Sequence, residues 1–296
     1  MPKKGHVLFS LIFVSILYIF SVTKIDRASV LSSISDRSVF GRLLPSFSKI
    51  TRQQAFQGVL ERTSKKKGTY AIIVKNLNTD EMYNFNETEL FYAASLYKTP
   101  IAASVFRLSQ ENIISLDSNL KYMGIDTTGG TGTLYTFPVG TEFTVDFILD
   151  RLIKDSDNIA QNILIRSFTQ SEIKEGFNII ESKNKFYDNN TSTVAYQVEF
   201  YEQLVESDFL TPTNKEVLLN KLASTSFDDR IHTGLTPDVK FSHKIGNWGD
   251  TGSWHDCGVA SKGYRKVVIC VMSRHTTFQE FLIVTKDVGN FANMLF

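Results

Sequence analysis

Ser95 stands three residues before Lys98 in the segment Leu90-Phe-Tyr-Ala-Ala-Ser-Leu-Tyr-Lys-Thr-Pro100. On a helix, positions i and i+3 share a face, so the lysine amine can sit beside the hydroxyl. A serine hydroxyl is a weak nucleophile until a base takes its proton, and a lysine freed of part of its hydration can be that base. Ser156-Asp157-Asn158 follows 61 positions after Ser95, and Lys244-Ile245-Gly246 follows 88 positions after Ser156. Taken singly, each of these has a structural reading: Ser156 and Asn158 as helix caps, Lys244 as a solvated surface charge. Taken in order, they supply a nucleophile, a base, a second hydroxyl, a carboxamide and a cation.

The order Ser-x-x-Lys, Ser-Asp-Asn, Lys-x-Gly resembles the class A β-lactamases and penicillin-binding proteins, with Ile245 where that family carries threonine. The resemblance extends through Glu111 to Ser118, Thr144 to Leu164, Leu210-Thr-Pro212, Asp228-Asp-Arg-Ile231 and His243-Lys-Ile-Gly246, and covers residues 51 to 296. It implies that Ser95 attacks a carbonyl to give an acyl-enzyme, with Lys98 as a candidate base. It further implies that Ser156 relays a proton to the leaving nitrogen and that Asn158 hydrogen-bonds the substrate amide. Lys244 would bind a substrate carboxylate from the edge of the strand that carries Gly246. Backbone N–H groups of Ser95 and Asn247 would form the oxyanion hole. Isoleucine at 245 cannot hydrogen-bond a carboxylate, which leaves that anchoring to Lys244 and its neighbours. His255 is within reach of the same region, although a structural role suits it better.

One expected part is missing. Class A enzymes carry a glutamate that activates the deacylating water, on a loop after Ser-Asp-Asn. Here Thr191-Ser192-Thr193, which resembles the helix start beyond that loop, comes only 35 positions after Ser156, and no Glu-x-x-Leu-Asn pattern occurs. Glu172, Glu175, Glu181 and Asp188 are the acids in between, and none is assigned the base. The function expected is therefore a serine hydrolase that opens a β-lactam amide. The alternatives are a D,D-peptidase acting on cell-wall peptides and a penicillin-binding protein whose adduct persists.

The elements that must position these groups follow from periodicity. Ala55, Phe56, Val59 and Leu60 mark one face of a first helix that ends near Lys65. Thr69–Val74 and Glu81–Phe85 flank Asn78-Thr79-Asp80, a hairpin pattern. From Ala94 to Leu222 the helical period dominates. Val145, Ile148, Leu149, Leu152 and Ile153 form one stripe behind an N-cap at Thr144, and Ile159, Ala160, Ile163 and Leu164 form another. Ser156 falls in the break between them. Thr211-Pro212 opens a further helix. Strand patterns return at Phe241–Ile245, Cys257–Ala260 and Lys266–Val271, and Gly289–Phe296 closes the chain as the tail of a last helix. The fold expected is an α/β (α+β) sandwich, a five-stranded antiparallel sheet flanked by N- and C-terminal helices, with an all-helical subdomain inserted. The site should lie between the two parts.

The chain has 296 residues, 42% of them hydrophobic, and a formal charge of +1. That gives no electrostatic reason for a nucleic-acid partner. Nothing in the sequence indicates a metal or other cofactor, and a small-molecule substrate and a monomer are expected. Val7 to Val22 is an uncharged run behind Lys3 and Lys4. It reads as a signal anchor or signal peptide over residues 1–23, followed by a Ser- and Arg-rich linker over 24–50 and the hydrolase domain over 51–296. Either form of the leader exports the domain. An exported compartment permits a disulfide between Cys257 and Cys270, and two free buried thiols fit the sequence equally well. A turn near Gly263-Tyr264 would put the two cysteines opposite each other.

Overall fold

A computed structural model describes residues 37–180 and 190–296. The chain divides into two units, Met1–Arg52 and Gln53–Phe296. Helix α1 (Arg37–Thr63) begins inside the stretch read as a linker. The apolar face formed by Phe56 and Val59 marks only the part of it that packs in the second unit. The apolar run Val7–Val22 lies outside the described residues, and among those described no helix is long and apolar enough to cross a membrane.

The second unit opens with the hairpin β1 (Thr69–Asn76) and β2 (Met82–Phe85). Its turn is held from within: the Asn76 carboxamide oxygen accepts from Asn78 N–H at 2.8 Å and Thr79 N–H at 3.2 Å, and Asp80 takes φ 56°. Asn and Asp suit this task because their short polar side chains bond their own backbone and tolerate the left-handed region. Strand β3 (Phe91–Tyr92) and a single 3-10 turn (Ala94–Tyr97) lead into helix α2 (Lys98–Gln110).

The helical block continues with the small ladder of β4 (Asn119–Lys121) and β5 (Glu142–Thr144), then α3 (Val145–Lys154), α4 (Asn158–Ser167) and α5 (Gln170–Lys174). Strand β6 (Thr191–Ser192) pairs with β3, and α6 (Val194–Glu206) and α7 (Pro212–Ala223) close the block. The caps follow the sequence. Thr144 accepts from Phe147 N–H, Thr193 from Tyr196 N–H and Thr211 from Asn214 N–H, each satisfying an N–H that the helix cannot.

Strands β7 (Lys240–Trp248), β8 (Ser253–Lys262) and β9 (Arg265–Arg274) complete the sheet, and α8 (Phe278–Ala292) packs back on it. All pairs are antiparallel, in the order β2-β1-β9-β8-β7, so β7 is an edge strand. Alternation along the strands splits the core in two. Ala71, Ile73, Val259, Val268 and Met272 face the helical block, whereas Tyr70, Ile72, Val74, Ile269 and Val271 face Phe56 and the buried side of α8. Cys257 lies directly opposite Cys270 on the first face, and the two are joined in a disulfide with their Cα atoms 4.0 Å apart. The structure thus selects the bonded alternative. The expected α+β sandwich with its helical insertion is the fold observed, with β7, β8 and β9 longer than the apolar runs that announced them.

Candidate active site

The turn that carries Ser95 is set by Ala94, which adopts φ 50°. A non-glycine residue is rarely held there, and such backbone costs of order 1–3 kcal/mol unless its surroundings fix it. The fixing contacts are visible: Ala93 N–H donates to Asn190 O at 2.8 Å and Asn190 Nδ2 to Ala94 O at 3.3 Å. From the other side, β7 presses against the turn at Gly246. A Cβ there would lie 2.7 Å from Ala93 O and 3.3 Å from a Leu96 methine carbon, so only glycine lets the strand come this close.

Lys98 is buried behind Ser95 at the start of α2. Its Nζ lies 3.2 Å from Ser95 Oγ, 3.3 Å from Ser156 Oγ, 2.5 Å from Ser156 O and 2.6 Å from Asn158 Oδ1. Burial pushes its pKa down to about 7, with Asp157 pulling partly the other way. A neutral amine has two N–H bonds and one lone pair. The two short contacts go to carbonyl oxygens, which only accept, so the lone pair is left for the hydroxyl side, where Ser95 and Ser156 stand.

Ser156 sits in the break between α3 and α4 with φ 56°, the second left-handed residue of the site. That bend turns its carbonyl toward Lys98 and toward Thr131 Oγ1, which donates to it at 2.6 Å. Asp157 caps α4 through Ala160 N–H at 2.9 Å, and its other oxygen accepts from Thr133 N–H at 2.6 Å and Leu134 N–H at 2.8 Å. The loop before α3 is thereby tied down on the Ser-Asp-Asn turn. Gly132 (φ 118°) makes the fit possible, since a Cβ would overlap the Asp157 carboxylate. Asn158 is fixed in orientation: Oδ1 accepts from Lys98, and Nδ2 donates to Gly129 O at 2.9 Å. The second Nδ2–H is left to donate to a substrate amide carbonyl.

Ser95, Ser156, Asn158, Ile245 and Asn247 all line one cavity of about 460 Å³ between the helical block and the sheet. Lys98 lies under it and Gly246 behind it. Lys244 is fully buried and absent from the lining; its Nζ donates weakly to its own neighbour's carbonyl, Ile245 O, at 3.4 Å. Burial holds its pKa well below the usual lysine range, and Lys98 and Arg230 add to the effect, with Asp256 opposing. His255 is structural, as the sequence favoured. Its Nε2–H donates to Tyr92 O at 2.8 Å, its Nδ1 accepts from Ser273 N–H at 3.3 Å, and burial lowers its pKa to about 4, so the ring is neutral. Beside it, Arg230 is buried against the Phe278 ring and donates to His255 O at 3.0 Å.

Sequence reasoning did not find Tyr92, Asn190, Thr131, Gln161 or Asn162, which also line the cavity. They belong to no motif and meet only through folding. Of the four acids considered, Glu172 is spent in a capping box with Thr169, and Glu175 opens a short 3-10 turn; neither reaches the cavity. Glu181 and Asp188 lie outside the described residues. Among the described residues no cluster suits a metal ion.

A serine with a buried lysine at its hydroxyl thus stands at a cleft between a sheet and a helical block. The Beta-lactamase enzyme family profile matches residues 51–290, and the chain belongs to that family. The structure is similar to that of PBP-A, at 20% identity and a TM-score of 0.72, covering 81% of this chain and 94% of that one. It is also similar to a β-lactamase from Xanthomonas campestris (18% identity, TM-score 0.74, 84% and 98% covered). An ancestral class A β-lactamase matches at 21% identity and a TM-score of 0.73, with 80% and 98% covered. At these identities the likeness speaks for the fold. No curated protein sequence matches the chain.

Proposed function

We propose that the protein is a serine hydrolase that is acylated at Ser95 by a β-lactam and hydrolyses the lactam amide slowly. The observation that carries this reading is the Lys98 amine, buried and placed 3.2 Å from Ser95 Oγ and 3.3 Å from Ser156 Oγ. In the forward step Ser95 Oγ bonds to the carbonyl carbon and its proton passes to neutral Lys98. The C–N bond then breaks, and the nitrogen takes the Ser156 hydroxyl proton, which Lys98 replaces. The free edge of β7, with Asn247, and the N–H of Ser95 would hold the developing oxyanion; one such donor is worth ~2.7–4 kcal/mol of barrier. Lys244 lies on β7 beneath the site, fully buried and outside the cavity lining, so a substrate carboxylate meets it only if that side chain turns toward the cleft.

Deacylation has no glutamate to serve it among the described lining residues. The lactam reading therefore carries a slow second step, and PBP-A is a relevant likeness because one of its mutants is seen as an acyl-enzyme complex with penicillin G. A D,D-peptidase would use the same first step. Export through the apolar run Val7–Val22, as anchor or cleaved signal, would bring the domain to such substrates.

A time course of the protein with a labelled penicillin, followed by intact-mass measurement, tests the reading. The expected record is one equivalent of adduct on the wild type, slow decay, and no adduct on Ser95→Ala. Equal labelling of Ser95→Ala would reject the nucleophile, and rapid turnover without an adduct would reject the slow second step.

A further inference from the structure

Two large aromatic side chains stand open at the rim of the cavity. Tyr92 is 39% exposed and Trp248 45% exposed, and their rings meet nearly edge to face with centroids 5.3 Å apart. Exposed aromatics are ordinary when scattered. These two are packed on each other and open into the same cavity as Ser95. The rest of its lining, apart from Ala94 and Ile245, is hydroxyl, carboxamide, glycine and one carboxylate, Asp250. They form an apolar wall in an otherwise polar cleft.

The wall is also pre-built. Tyr92 pairs with Thr191 across the β3–β6 ladder, and its carbonyl is held by the buried imidazole of His255. Trp248 is the last residue of β7, paired with Ser253 of β8. Neither backbone must move for the rings to stay in contact, so a ligand group that lies against them finds the surface already ordered.

Its place along the chain says which end of the substrate it meets. Tyr92 comes three residues before Ser95 and Trp248 directly after Asn247. These are the two segments proposed to hold the reacting carbonyl. Ser156, proposed to serve the leaving nitrogen, comes from the helical block across the cleft. Resting on the acyl-enzyme reading, we propose that Tyr92 and Trp248 form a specificity wall that favours substrates whose acyl group carries a flat apolar substituent, such as a phenyl ring. Asp250 at the same rim favours a neutral or cationic substituent over an anionic one.

The test uses the full chain and two probes, benzylpenicillin with its phenylacetyl group and 6-aminopenicillanic acid without it. Adduct formation is timed for the wild type, Trp248→Ala, Trp248→Phe and Tyr92→Ala. The ratio of the two acylation rates should fall about tenfold in each alanine variant, the size expected of one aromatic contact, and recover in Trp248→Phe. An unchanged ratio in both alanine variants overturns the wall while leaving acylation standing. Binding of the same probes to Ser95→Ala, read by tryptophan fluorescence, separates the two readings. If no adduct forms on the wild type but the phenylacetyl probe still binds Ser95→Ala about tenfold more tightly, the wall stands and the nucleophile falls. If neither rate nor binding distinguishes the probes, the wall is rejected.

Discussion

Lys98 is the residue on which the chemistry turns, because its charge state decides whether it can accept a proton. Burial brings its pKa down to about 7, and only the neutral form is a base. Acylation should therefore rise with pH through about 7 and level off above it. A profile that is flat from pH 6 to 8 would show that another group takes the proton. Lys98→Ala should slow acylation ~10²–10⁴-fold, the usual worth of a general base. The same shift has a consequence for folding. The unfolded lysine keeps its proton up to the ordinary pKa of 10.5, so between about 7 and 10.5 the unfolded chain binds more protons, and this group's contribution to stability grows as pH rises. Ser95, Lys98, Ser156 and Asn158 were legible because their spacing along the chain is itself the signal. Tyr92 and Asn190 were not, because nothing local marks a residue that reaches the cleft only when β3 and β6 pair. For Lys244 the sequence suggested a strand-edge cation open to substrate, and the structure puts it under Ile245 instead.

Asp157 shows what one residue does for several elements. It caps α4 and holds the loop before α3 through two further N–H groups, while being buried itself. Asp157→Ala loses the cap and leaves two buried donors without partners, a cost of about 2–4 kcal/mol. Urea unfolding measures it, and a midpoint shift below ~1 kcal/mol would mean that water or another side chain serves those groups. Acylation should slow as well, since Ser156 sits on the turn that Asp157 secures. The helices themselves were readable, because a Thr cap followed by an apolar stripe is a local pattern. Strand ends were not: β8 runs from Ser253, well ahead of the apolar residues at Cys257. His255 and Asp256 lie ahead of the strand pattern expected from Cys257, yet both are buried in the strand, where Arg230, His243 and backbone groups satisfy them.

The unit Gln53–Phe296 is built on a sheet with a core on each face, and its disulfide joins neighbouring strands on the face toward the helical block. Cross-linking residues 13 apart removes freedom from the unfolded chain, which is worth about 2–4 kcal/mol. The double variant Cys257→Ala/Cys270→Ala should unfold at correspondingly lower urea and still be acylated at Ser95. Loss of acylation with stability unchanged would give the bridge a part in the site. The sequence allowed the pairing and could not choose it, since two small buried thiols and a bridge leave the same pattern.

His255 ties the scaffold to pH. Its neutral ring donates to one strand and accepts from another, and no protonated ring can do both. In the unfolded chain the imidazole takes up its proton near 6.5, whereas in the folded chain burial delays this to about 4. Between those values acid drains stability, and below about 4 a second N–H is thrust at the backbone amide of Ser273. Acid thus loosens the scaffold around His255 through a group that takes no part in the reaction.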